Sequence, residues 1–259
     1  MTQTLISKFQ KHRFLFEELV KRDFKKKYKR TVLGMFWSVL SPLLQLLVMS
    51  LVFVKFFGRS TPHYTIYLFA GNLTFSFFKE STTGGMNSLM MNANIITKIN
   101  VPKYLFLLSK NVSSLINFGL TLIIFFLFVA IDGIPFTPKF FMLLFPILCL
   151  IIFNIGVGFI LSAMFVIFKD IQYLYDIFTL LLMYLSAIFY PVGSFSPTVQ
   201  HLFYANPMFT YISYIRSIVL YNTIPPLWHH GLCVLYALLA ISIGALIYKR
   251  YNYKFLYYM

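Results

Sequence analysis

Long apolar stretches broken by short polar segments dominate the chain, and their length predicts membrane-crossing helices. A bilayer core takes roughly 20 apolar residues in helical form. Six segments meet or approach that length: 34–57, 64–83, 112–131, 140–168, 174–190 and 231–248. The fourth is long enough to tilt and carries Pro146 as a bend point. Asp132-Gly133 closes the third, and Pro191 stops the fifth. The second has a polar end, where Lys79 and Glu80 precede Ser81-Thr82-Thr83-Gly84-Gly85. These two ionisable groups read first as interfacial residues kept solvated by their long side chains. The sharper reading is a functional site inside the membrane.

Two further segments belong to neither spans nor simple loops. Residues 191–228 stay apolar between Pro191, Pro197, Pro207, Pro225 and Pro226. The apolar piece 208–221 is too short to cross, so two short helices re-entering from the outer face fit best, with a loop resting on the membrane as the alternative. Ahead of the first span, Leu5, Phe9, Phe16, Val20 and Phe24 recur at helical spacing, with Lys8, Lys11, Glu18, Lys21, Arg22 and Lys25 on other faces. Residues 1–30 therefore predict an amphipathic helix in the headgroup plane. The expected fold is one all-α integral membrane domain over 1–259: six transmembrane helices, the interface helix, and two short re-entrant helices between the fifth and sixth spans.

Composition removes the soluble alternatives. The chain is 59% hydrophobic and only 11% charged, against about 25% charged in an ordinary soluble domain. A formal charge of +15 alone would suggest a nucleic-acid partner. Its distribution argues otherwise, because ten of the 22 Lys and Arg precede residue 31 and abut the first apolar run. That is the mark of a cytoplasmic flank. With six spans both termini are cytoplasmic, and 17 basic residues fall on the cytoplasmic segments against four, Arg216 among them, outside. The patch Arg22, Lys25, Lys26, Lys27, Lys29 and Arg30 is placed to meet anionic membrane lipid. The first apolar run is too long for a cleaved signal, and no small-x-small site follows it.

Catalytic chemistry is sparse. There are seven acidic residues and no close carboxylate pair inside a span, so acid–base catalysis has no machinery. Cys149 and Cys233 sit in apolar runs without metal-ligand spacing, and the His229-His230 pair reads as interfacial packing. Neither GxxxxGK[ST] nor GxGxxG occurs. The expectation is a chain that is not an enzyme and holds no metal or cofactor.

Residues 22–42, RDFKKKYKRTVLGMFWSVLSP, resemble the amino-terminal signature of the membrane subunits of polysaccharide-exporting ABC transporters, the type-two permeases for O-antigen, capsule or teichoic acid. The resemblance continues at 69–71, at 92–102 (NANIITKINVP), at 168–171 (FKDI), at Tyr190-Pro191, and at Asn206-Pro207 with Arg216. The chain departs from the family in having Lys169-Asp170 for Arg-Asp, and Phe75 where Trp is common. Lysine lacks arginine's planar fork, which puts a bidentate role at 169 in doubt. Asp170 reads alternatively as the N-cap of the fifth span.

The resemblance implies a homodimer in the bacterial cytoplasmic membrane, served by two copies of a separate cytoplasmic ABC ATPase that binds ATP and Mg. It also implies a lipid-linked polysaccharide substrate, and a coupling helix within the loop 86–103. That helix would present Asn94, Ile95, Ile96, Thr97, Lys98, Ile99 and Asn100, with Ile95, Ile96 and Ile99 as an exposed apolar edge. A surface helix lying on lipid is the plainer alternative. Trp37, Tyr67, Phe75 and Tyr190 are candidate channel aromatics, since ring faces stack on sugars. Two other functions compete: a non-transporting assembly protein, and a transferase on the same glycolipids, for which acidic residues are too few.

Overall fold

In a computed structural model, residues 2–28, 34–57, 62–99 and 101–258 are described, and among them all regular structure is helical. The helices are α1 (Thr2–Tyr28), α2 (Trp37–Phe57), α3 (Tyr64–Asn87), α4 (Ala93–Ile96), α5 (Tyr104–Ile131), α6 (Leu144–Ile167), α7 (Ile171–Leu185), α8 (Pro197–Phe203), α9 (Pro207–Val219), α10 (Leu227–Tyr251) and α11 (Phe255–Tyr258). Three stretches are long and apolar enough to cross a bilayer: Tyr104–Ile131, Pro138–Ile167 and Leu227–Tyr251. Leu40–Val54 and Ile171–Leu185 are shorter apolar helices.

α3 forms the centre, packed against α2, α5, α6 and α9. Its burial explains why it tolerates polar residues: Thr74 and Thr82 return their hydroxyls to the carbonyls of Ala70 and Phe78 at 2.8 and 2.7 Å. Aromatic rings fill the space around it. Phe69 meets Phe125 edge-on at 5.4 Å, and Phe77 stacks on Phe118 at 4.5 Å. α6 and α10 approach through small residues. A β-carbon on Gly156 would stand 2.3 Å from the Ala240 carbonyl carbon, and one on Gly244 2.3 Å from the Gly156 oxygen. Such contact is how helices associate where lipid removes the hydrophobic drive. The outer surface stays apolar, with Leu51, Leu127, Leu148, Ile177 and Leu246 exposed.

Several boundaries move. α5 begins at Tyr104, eight residues ahead of the expected 112, because Lys110 is paired inside the protein and is not a water-side boundary. α3 runs on to Asn87 and α10 covers Leu227–Tyr251, each longer than its expected span. A 3-10 turn, Pro138–Leu143, leads into α6. Pro146 then lies in the first turn of α6, where its missing N–H is harmless. α7 stops at Leu185, short of the expected 190, and its 15 residues reach about 22 Å. Ala187, with φ 49°, turns the chain immediately afterwards.

The 191–228 region does hold two short helices. Asn206 caps α9 by accepting from the Met208 and Phe209 amides at 2.9 and 3.4 Å, with Pro207 at N1. α9 is buried along most of its length and packs on α3 and α10, whereas α8 has no buried residue.

Candidate functional site

At the end of the bundle where α1 packs on α5, the organising group is Asp23. Its carboxylate is 2% exposed and takes Lys110 Nζ at 3.1 Å and Arg22 Nη2 at 2.8 Å on Oδ1. Ser109 Oγ donates to Oδ2 at 3.3 Å. A carboxylate so enclosed is tenable only with such partners. The buried face of α1 therefore centres on Leu19 and Asp23, while Phe16, Val20 and Phe24 are half-buried; the side chains of Leu5 and Phe9 lie outside the described residues. Of the basic patch, Arg22 is engaged with Asp23 and Lys25 is exposed. Lys29 and Arg30, and the side chains of Lys26 and Lys27, lie outside the described residues.

The segment expected to couple to an ATPase is a 3-10 turn, Met90–Asn92, followed by the single turn of α4. Asn94, Thr97, Lys98 and Ile99 are exposed and Ile95 is half-buried, but Ile96 is 5% exposed. The expected exposed edge of three isoleucines is corrected accordingly. Ile96 turns inward to join Leu19, Leu89, Phe106, Val166, Tyr248 and Phe255 in one apolar cluster, leaving Met91 and Ile99 as the exposed apolar groups. Asn100 lies outside the described residues. Lys103 closes this end by donating to the Asn252 carbonyl at 2.7 Å above the Phe255 ring, and burial holds its pKa below the usual lysine range.

Deeper in the bundle, a cleft of about 410 Å³ opens between α2, α3 and α5. Three polar stripes at helical spacing face into it: Ser38, Ser41 and Gln45 from α2, Asn72, Ser76 and Glu80 from α3, and Ser114, Asn117 and Thr121 from α5. Trp37, Phe69, Phe77 and Phe118 supply ring surface. Asn117 Nδ2 donates to Glu80 Oε1 at 2.7 Å. Pro42 also lines the cleft, and having no N–H it breaks the helical bonding of α2 there. Glu80 and Gly84 continue the polar track towards Lys110 and Asp23. Glu80, first read as an interfacial group, is thus half-buried in an internal polar site, while Lys79 is exposed. No group of three metal-ligating side chains occurs among the described residues.

Towards the opposite end Arg216, counted with the outer charges in the sequence, is 4% exposed and enclosed by α3, α9 and the turn after α7. Its Nε and Nη2 donate to the Tyr67 carbonyl at 3.2 and 3.0 Å, Nη1 to Ala187 at 2.9 Å and Nη2 to Ile188 at 3.0 Å. The guanidinium lies 3.4 Å over the Tyr67 ring, whose hydroxyl donates to the Tyr190 carbonyl at 2.8 Å. His229, read as interfacial, is likewise buried, its Nε2 2.9 Å from the Thr210 carbonyl.

The four candidate aromatics separate. Trp37 lines the cleft, and Tyr190 is half-buried beside Phe195 and Phe203. Tyr67 and Phe75 are each 4% exposed, buried among other residues of the chain. Asp170 occupies the N-cap position of α7 without making a side-chain cap bond, and Lys169 is exposed. Asn72, Ser76 and Asn117 escaped the sequence reading. Their signal was present, as polar residues at i, i+3 and i+4 within segments read only for apolar length.

An apolar exterior around long helices and an internal polar cleft define a multi-pass helical membrane protein. Residues 15–220 match the family model described as ABC-2 type transporter. The chain belongs to that family. An "O-antigen export system permease protein RfbA" of Myxococcus xanthus is 27% identical over 227 residues, covering 85% of this chain and 86% of that protein. A protein of the same name from Klebsiella pneumoniae is 26% identical over 250 residues, 93% of this chain and 95% of its own length.

Proposed function

We propose that the chain is the membrane subunit of an ATP-driven exporter that moves a lipid-linked polysaccharide across the cytoplasmic membrane, through a channel between two protomers. The observation that carries this reading is a polar cleft lined by three helices inside a protein of the ABC-2 type transporter family. The names of the relatives support polysaccharide of the O-antigen kind as the substrate class; capsule and teichoic acid are the alternative cargoes. In this reading α2, α3, α5, α6, α7 and α10 are the six spans, α8 and α9 dip in from the outer face, and both termini are cytoplasmic. ATP and Mg belong to two copies of an ABC ATPase that dock on the α4 segment, where Lys98, Ile99 and Met91 are exposed. A second copy of the chain covers part of the apolar face of α7, on which Leu174, Ile177 and Phe178 stand exposed. ATP binding and hydrolysis bias the dimer between arrangements by differential affinity.

Depleting the chain in its source cell tests the assignment. Surface polysaccharide is expected to disappear while lipid-linked glycan accumulates inside, and an ABC ATPase is expected to co-purify with the chain. Unchanged surface polysaccharide on depletion overturns the reading.

A further inference from the structure

We propose that the short segment after α10 positions the stretch of chain on which the ATPase docks, with Phe255 and Lys103 as the positioning residues. The inference rests on the docking reading above and adds to it what holds the docking residues in place. Lys98 and Ile99 are exposed on a connection that runs between two fixed points. On one side Ile96 is sunk in the apolar cluster of this end of the bundle. On the other, Lys103 stands at the N-cap of α5 and donates to the Asn252 carbonyl at 2.7 Å. Both points lead to the same element. α10 ends at Tyr251, and a turn closed by the Lys254 N–H on the Tyr251 carbonyl at 2.9 Å returns the chain into α11. That return puts Phe255, 0% exposed, in the cluster that holds Ile96. Its ring meets Tyr248 edge-on at 5.1 Å, and Lys103 Nζ lies 5.7 Å from its centre. With four residues α11 has no helical stability of its own, so packing sets its place. Tyr253 and Tyr257 are 87% and 86% exposed, which leaves Phe255 as the buried attachment among the described side chains of the segment. A connection fixed at both ends meets a partner already ordered, whereas a loose one loses conformational freedom on binding.

Two measurements on the full chain test this, one without the ATPase and one with it. Cys149 and Cys233 are buried, so a spin label directed to Lys98→Cys reports on the docking stretch. In the chain alone, Phe255→Ala is expected to shorten the rotational correlation time of that label about twofold or more. Phe125→Ala deletes an equally buried ring from the central cluster and is expected to leave the label as it was. Without the label, affinity for the ATPase is expected to fall about tenfold with Phe255→Ala and to stay at the parental level with Phe125→Ala, although both lower the thermal midpoint. Phe255→Leu is expected to recover most of the affinity. Lys103→Met keeps an apolar stem and removes the donor to Asn252; it serves if Phe255→Ala does not accumulate, and is expected to loosen the label in the same direction. Unchanged label mobility in these variants, or an equal change with Phe125→Ala, overturns the positioning role. If Ile99→Asp loses the ATPase but Phe255→Ala binds it at parental affinity, the positioning role falls and the docking reading stands. If Ile99→Asp still recovers the ATPase, the docking reading falls first.

Discussion

The guanidinium of Arg216 stands where a side chain on Gly71 would have to be: a β-carbon there would lie 2.6 Å from Arg216 Nη2. Glycine at 71 therefore admits a buried cation that ties the first turns of α3 to the turn after α7 through carbonyls of Tyr67, Ala187 and Ile188. This gives a physical reason for two separated fragments of the family signature, 69–71 and Arg216, to occur together. Gly71→Ala is expected to push the guanidinium off its carbonyls and to destabilise the chain by about 1–3 kcal/mol for each group left unpaired. Arg216→Lys is expected to be no milder, since one ammonium cannot reproduce the planar fork. Thermal unfolding of the detergent-purified chain measures both, and parental stability in Arg216→Lys would sink the idea.

Asp23 and Lys110 make the complementary prediction at the α1 end. Lys110→Met leaves a carboxylate that is 2% exposed with Arg22 as its remaining charged partner. The expected loss is about 2 kcal/mol, below the ~3–5 kcal/mol of a fully broken buried pair. Asp23→Leu combined with Lys110→Met is expected to recover much of it. A double-mutant cycle on unfolding midpoints measures the coupling, and additive effects would exclude the pairing as a source of stability.

In the proposed coupling segment, burial separates a structural residue from a candidate docking residue. Ile96 is buried against the cluster containing Leu19 and Phe106, whereas Ile99 is 54% exposed. Ile96→Asp is expected to lower the amount of folded chain, by about 2–5 kcal/mol of stability. Ile99→Asp is expected to leave the chain folded and to abolish co-purification of the ATPase. Membrane abundance together with pull-down distinguishes them, and normal ATPase recovery with Ile99→Asp would remove Ile99 from the docking surface.

The residues that line the cleft show how far sequence carries here. Apolar length fixed the existence of α2, α3, α5, α6, α7 and α10, because roughly 20 apolar residues admit few other structures. Direction of burial was harder, since in lipid both faces of a helix are apolar and hydrophobicity no longer marks the inside. The informative residues are then the polar ones. Asn72, Ser76 and Glu80, four apart along α3, carry the cleft in the sequence, yet they carry it only when set against Ser114, Asn117 and Thr121. Lys110, a charge two residues ahead of the expected third span, pairs instead with Asp23, 87 residues earlier in the chain.

The contact between α6 and α10 gives a last prediction that depends on backbone proximity alone. Gly156 and Gly244 let the two helices approach until the Gly156 carbonyl occupies the space of a methyl group on residue 244. Gly244→Ala has nowhere to put its β-carbon, because the atoms it meets are backbone and not the far end of a flexible side chain. The helices must separate, and the dispersion attraction along the whole seam weakens with the sixth power of distance. The same change at Gly231, on the same helix with nothing within 4 Å, removes only a flexible residue and is expected to be neutral or slightly stabilising. Comparing the thermal midpoints of the two purified variants isolates proximity from helix propensity, which favours alanine equally at both positions. The expected result is a marked loss for Gly244→Ala, of about 1–3 kcal/mol or more. Equal midpoints for the two would mean that the α6–α10 seam does not hold the bundle together as described.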